Sequence, residues 1–206
     1  SNVVAIAAGA YHSLALTAEG RVIGWGAGAT NTGIDLDYGQ SAIPSGLSNV
    51  VAVAAGRYHS LALTAEGRVI GWGDNDYGQT NTPTGLRNVV AVAAGGAHSL
   101  ALTAQGRVVG WGWNEYGQTA IPNGLSNVVA VAAGEYHSLA LTGDGQVVKW
   151  GYDQWWDGTT MPTGLSNVIA VAAGAYHSLA LTAEGQVFGW GHNQFGQATI
   201  PSVLSN

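Results

Sequence analysis

The sequence contains no cysteine, a single methionine, two phenylalanines, five prolines and only six lysines and arginines in 206 residues. Without cysteine there is no disulfide frame, no thiolate metal site and no cysteine nucleophile, and the redox compartment stays open. The scarcity of cations, with a formal charge of −6, argues against nucleic acid and anionic membranes as partners, because affinity for phosphates rests on Lys and Arg. No apolar run approaches the roughly 20 residues that cross a bilayer. Ser1-Asn2-Val3 carries neither a basic segment nor a cleavage site, so a soluble chain, mature or trimmed, is expected.

Glycine and repetition are what the chain has in excess. Thirty-two residues are Gly and 9% are charged, against roughly 7% Gly and about 25% charged in average domains. The opening Ser1-Asn2-Val3-Val4 restarts at Ser48, Arg87, Ser126 and Ser166, dividing the chain into repeats 1–47, 48–86, 87–125, 126–165 and 166–206 of one expected domain. A fixed period in this range marks a solenoid, propeller or array.

Within each unit, Val50–Ala55 and Leu61–Leu63 are short aliphatic runs bounded by Gly, which favours strands, and Ala65-Glu66-Gly67 reads as a hairpin turn. Runs that are apolar on both faces suit a sheet buried on both sides. The expected fold is all-β: a β-propeller of five short antiparallel blades, of which four to eight can close around an axis. Because blades diverge outward, the Ala-rich strand should lie innermost. Trp25, Trp72, Trp111, Trp150 and Trp190 should fill the wedges between blades, each indole N–H requiring a partner.

The motif G-x-Y-H-S-L-A-L-T-A-E-G-R-V-I-G-W-G-x-N-x-x-G-Q resembles the regulator of chromosome condensation repeat, and the resemblance covers all five units. In unit length and in the W-G-x-N-x-x-G-Q and T-x-P segments it is similar to a secreted bacterial branch of that family that inhibits class A β-lactamases. The resemblance implies a propeller, usually of seven blades, so five repeats either close alone or form part of a larger ring. In function the family ranges from nucleotide-exchange factors to enzyme inhibitors, and fold does not fix function.

Strand alternation puts the G-x-Y-H turns and the loops after Trp-Gly on one face, the top, and the A-E-G hairpins and P-x-G-L segments on the other. Variation among the units concentrates on the top. It includes Ala10, Arg57, Gly96, Glu135 and Ala175 in the turns, an insertion from Ala27 to about Ile34, and Tyr152 to Asp157 in the fourth unit. Loops on a rigid scaffold are where binding residues tend to sit. Aromatics make interface anchors, and the clustered acids Asp35, Asp37, Asp74, Asp76, Glu115, Glu135, Asp153 and Asp157 would steer a protein partner with a basic surface. The matching loops of the β-lactamase-inhibiting branch contact its target, which points to Asp74, Asp76, Tyr77, Trp113, Tyr116, Trp155 and Trp156 as partner-binding residues. Tyr77, Tyr116 and Phe195 share one repeat position, so capping the blade rim is the alternative role for those three.

No catalytic set stands out. Ser13, Ser60, Ser99, Ser138 and Ser178 each follow a His, and neighbours on a strand point to opposite faces. The recurring His12, His59, His98, His137 and His177 fit hydrogen-bonding struts better than a metal ring, and His192 lies outside that register. Asp35-x-Asp37 and Asp74-x-Asp76 match the start of a calcium loop only in part, lacking a bidentate Glu downstream. The expectation is a non-enzymatic protein-binding propeller without cofactor or metal, either monomeric or associating through unclosed blade edges. A lectin and a repeat scaffold without ligand are the alternatives.

Overall fold

The computed structural model describes residues 2–34, 36–152 and 160–204. Blade 1 consists of β1 (Val3–Ala8), β2 (His12–Thr17) and β3 (Val22–Gly26), followed by an added hairpin of β4 (Asn31–Ile34) and β5 (Asp37–Tyr38). Blade 2 is β6 (Val50–Ala55), β7 (His59–Thr64) and β8 (Val69–Gly73); blade 3 is β9 (Val89–Ala94), β10 (His98–Thr103) and β11 (Val108–Gly112). Blade 4 is β12 (Val128–Ala133), β13 (His137–Thr142) and β14 (Val147–Gly151), and blade 5 is β15 (Val168–Ala173), β16 (His177–Thr182) and β17 (Val187–Gly191). A 3-10 turn spans Ser202–Leu204. Each blade is an antiparallel meander with its middle strand paired on both sides. The insertion in the first unit, read from sequence only as extra loop, is a two-stranded ribbon.

Local chemistry explains the recurring geometry. After β7 the chain reverses at Gly67, whose φ of 72° is the left-handed conformation that Gly adopts without a Cβ penalty. Asn49, Asn88, Asn127 and Asn167 occupy the same region at φ 54–55°, which Asn tolerates better than most residues. This explains the Asn before the first valine of blades 2 to 5. Its carbonyl takes the Ala65 N–H at 2.8 Å, and the next amide, Val50 N, reaches back to Gly20 O of blade 1 at 3.1 Å.

The first strands of successive blades lie side by side, β1 to β6 to β9 to β12 to β15, while the second strand of each blade packs on the first strand of the next. The Ala-rich strand is therefore innermost, as its side-chain size predicts. The core is divided into four wedges, one per junction. In the first, Leu14 and Leu16 of blade 1 meet Val50, Ala62 and Trp72 of blade 2, and equivalent residues recur at the other three. Among the described residues no comparable packing joins blade 5 to blade 1. The five blades form an open arc.

On the top, amides bridge neighbouring blades around the axis: Ala10 N to Gly56 O, Arg57 N to Gly95 O and Gly96 N to Gly134 O, at 3.1–3.3 Å. This approach requires bare backbone. A Cβ on Gly95 would lie 2.3 Å from the His98 ring and 2.5 Å from Gly134 O. Gly95→Ala should cost about 2–3 kcal/mol, the upper range for overpacking, seen as a lower urea midpoint at unchanged slope. An unaltered midpoint would show that the axial contact is not held in solution.

Candidate functional site

At the four blade junctions the recurring His, Ser and Trp are consumed by packing and hydrogen bonds between blades, whereas Trp25, expected to fill a wedge, is 52% exposed. Ser60 Oγ donates its single hydrogen to Gln40 O at 2.8 Å, and Trp72 Nε1 donates to the same oxygen at 2.9 Å. His12 Nε2, 2.8 Å from Ser60 Oγ, must therefore be the donor in that pair. The relay His12–Ser60–Gln40–Trp72 thus stitches blade 1 to blade 2. It repeats as His59–Ser99–Gln79–Trp111 and His98–Ser138–Gln118–Trp150, and His137 Nε2 meets Ser178 Oγ at 2.9 Å. The alternation that separates His from Ser along one strand is what aims them at opposite neighbours. These four struts end on a hydroxyl of the next blade, and Ser60, Ser99 and Ser138 pass the bond on to a backbone carbonyl.

This tautomer leaves Nδ1 of His12, His59 and His98 buried without a partner. Burial pushes His12 down to about 4 and His59 and His98 down to about 3, with neighbouring histidines adding to the effect in the last two. They are neutral structural groups at pH 7. Ser60, Ser99 and Ser138 each give their proton to a carbonyl, so these three are not positioned as activated nucleophiles. Among the described residues, no three His, Asp or Glu converge as metal ligands.

The top face is assembled as strand alternation implies. Asp74 N, Trp113 N, Tyr152 N and His192 N bond to the carbonyls of Tyr58, Ala97, Tyr136 and Tyr176 at 2.8–2.9 Å, tying each post-Trp loop to the preceding turn of its own blade. Within the loop, buried Gln79 accepts the Tyr77 amide at 3.0 Å and donates to Asp74 Oδ2 at 2.9 Å, while Asp74 Oδ1 accepts the Asp76 amide at 3.1 Å. Asp74 is thus spent on loop structure. Asp76, Tyr77, Glu115 and Tyr116 are exposed and Trp113 is half-buried. Trp155 and Trp156 lie outside the described residues, as do Asp35, Asp153 and Asp157.

The aromatic side chains from Tyr77 onward join into one belt. Trp113 lies 5.4 Å from each of Tyr77, Tyr116 and Tyr136; Tyr116 continues to Tyr152 at 5.0 Å, and Tyr136 to Tyr176 at 6.0 Å. His192 and Phe195 extend it on blade 5, while Tyr11, Tyr58 and Tyr38 stack separately on blades 1 and 2. Sequence reasoning singled out the post-Trp aromatics but missed Tyr58, Tyr136 and Tyr176. The signal was present: a Tyr precedes the His in four units, and the third has Ala97 instead. Trp113, which breaks the repeat, reaches over the position where that tyrosine is absent.

At the axis, the turns of all five blades line a cavity of about 320 Å³. Arg57 of blade 2 spans it to Glu135 of blade 4 at 2.6 Å, passing blade 3 where the turn residue is Gly96; a Cβ there would sit 2.8 Å from the Glu135 carboxyl carbon. Three substitutions that look like unrelated loop variation in the sequence thus make one cross-axis contact. With Asp37 also bonded to Thr30 and Thr32, Asp76 and Glu115 are the exposed carboxylates of this face among the described residues.

The family described as Regulator of chromosome condensation (RCC1) repeat matches residues 3–31, 50–79, 89–118, 128–154 and 168–197. No curated protein sequence matches. Among solved structures, that of Kap60 bound to yeast RCC1 (Prp20) matches at 28% identity and TM-score 0.80, over 99% of this chain and 59% of the other. Human WBSCR16 matches at 26% and 0.75, over 99% and 65%. Prp20p from Saccharomyces cerevisiae, studied for binding to Gsp1p and histones, matches at 24% and 0.74, over 98% and 60%. The chain therefore spans about three fifths of the length of these proteins.

Proposed function

The chain belongs to the regulator of chromosome condensation repeat family, and from that membership we propose that it is a non-enzymatic propeller that binds a protein through its aromatic top face. The continuous belt centred on Trp113 carries this reading: large, rigid rings held by loops whose backbone is already bonded offer contact area at low entropic cost. Yeast RCC1, to which the chain is similar, is bound to a protein, Kap60. Exposed Asp76 and Glu115 beside the belt favour a partner with a basic surface. Inhibition of an enzyme, which the sequence resemblance suggests, is one form such binding takes.

The test is capture of a partner from a mixed protein sample, identification by mass spectrometry, and measurement of its affinity for the original chain and for Trp113→Ala alone and with Trp155→Ala and Trp156→Ala. Loss of a central anchor costs about 2 kcal/mol or more, so affinity should fall roughly 30-fold with the circular dichroism unchanged. Equal affinities would move the site off this face.

A saccharide-binding reading has one observation in its favour. Four equivalent cavities of about 370, 300, 480 and 260 Å³ recur on the bottom, each between a P-x-G-L segment and the following hairpin. A glycan array without hits would remove it.

A further inference from the structure

The four bottom cavities are built alike and differ in charge. The residues that change are the one after the Leu of P-x-G-L and the two that flank the hairpin Gly. In blade 2 these are Ser48, Glu66 and Arg68, so the cavity holds one cation and one carboxylate. In blade 4 the cavity carries Asp144 and in blade 5 Glu184, each without a cation. In blade 3 the three positions are Arg87, Gln105 and Arg107, giving two arginines and no carboxylate. Both arginines are exposed, and among the described residues neither forms an ion pair. Their backbones are fixed on the two segments that border the cavity. Arg107 N donates to Thr103 Oγ1 at 3.3 Å, and Arg107 O accepts the Thr103 amide at 2.9 Å. Arg87 stands between Leu86, whose amide donates to Pro83 O at 3.1 Å, and Asn88, whose carbonyl accepts the Ala104 amide at 2.8 Å.

We infer that this blade 3 cavity, of about 300 Å³, is a binding site for a small phosphate monoester. Guanidinium forks match phosphate oxygens in geometry, and two of them balance the charge of about −1.5 to −2 that such an ester carries at pH 7. A carboxylate or a sulfate ester brings a single charge and leaves one arginine uncompensated. Thr84 and Gln105 add neutral donors, while Pro83, Leu86 and Val109 supply apolar surface for the organic part. The scarcity of cations elsewhere is consistent with this: two arginines hold one phosphate group, whereas a nucleic acid is held by many such contacts. The site is on the face opposite the aromatic belt, so it stands or falls independently of protein binding there.

Ligand-observed proton NMR follows the ring protons of phenyl phosphate, phenyl sulfate and phenol alike, so the three probes are compared on the same chain at about pH 8, above the second pKa of the phosphate ester, about 6. Phenyl phosphate should bind, phenyl sulfate should bind at least about tenfold more weakly, and phenol should not bind. Arg87→Ser, Arg107→Gln and Gln105→Glu each install a residue that another blade already carries at that position, so the fold is kept. Each should weaken phenyl phosphate at least about tenfold, the effect of losing a charged hydrogen-bonding group or of adding a like charge. Rebuilding the set in blade 4 of the Arg107→Gln chain, with Ser126→Arg, Asp144→Gln and Gln146→Arg, should restore binding. No binding with about 10 mM phenyl phosphate, or equal binding of phenyl sulfate, would overturn the proposal. So would an affinity that the three blade 3 substitutions leave unchanged, which would put the ester elsewhere on the chain.

Discussion

Acidification from pH 7 to 4.5 is expected to lower the stability of the fold by several kcal/mol. His12, His59 and His98 have folded pKa values of about 4, 3 and 3, below the ordinary 6.5. As pH falls below 6.5 the unfolded chain takes up protons that the folded chain refuses, so their contribution is fully present above that pH and is lost progressively toward pH 3–4. At 1.36 kcal/mol per pH unit per proton, two units cost roughly 2–3 kcal/mol per histidine, and several kcal/mol for the three together. That is comparable with the whole stability of a typical domain, about 5–15 kcal/mol. The loss has a structural cause: protonation puts a second N–H at Nδ1, which is buried without an acceptor. Urea unfolding between pH 8 and 4.5 reads the slope directly, and His59→Gln should reduce it by about one proton. A flat profile from pH 7 to 5 would mean that the histidines are solvated.

The second large effect is a contrast between two residues that the sequence presents as equivalent. Trp111→Ala should cost about 3–5 kcal/mol, because a buried indole is replaced by a cavity and Gln79 O loses one of its two donors. Trp25→Ala should change stability by less than about 1 kcal/mol, as surface substitutions do, since Trp25 is 52% exposed. Denaturation midpoints of the two variants decide the matter. Equal losses would show that Trp25 is covered in solution and that the arc is closed.

The sequence revealed the blade because every blade solves the same packing problem five times, so residues serving the fold recur and the period exposes them. The Ala-rich inner strand, four of the five wedge tryptophans, the hairpin at Gly67 and the two faces of loops were legible on that ground, while Trp25, expected in a wedge, is exposed. The site was less legible. Trp113, Tyr116 and Tyr77 could be singled out, but not their union with Tyr136 and Tyr176, which come from different turns and meet only when blades stand side by side. Asp74, singled out from the sequence as a partner-binding acid, also braces its own loop, a role that depends on where Gln79 points.

Repetition and side-chain size, both properties of the linear chain, determined the all-β blade, its strand order and the absence of thiol chemistry, because each follows from local spacing and steric bulk. Tertiary structure alone decided which copy of a repeated residue is buried. Trp25 and Trp111 occupy the same place in the repeat, and their burial differs because burial is set by the neighbouring blade. The pairing of Arg57 with Glu135 over Gly96 was likewise decided only there, since it joins residues 78 positions apart that become neighbours when the arc curves around its axis.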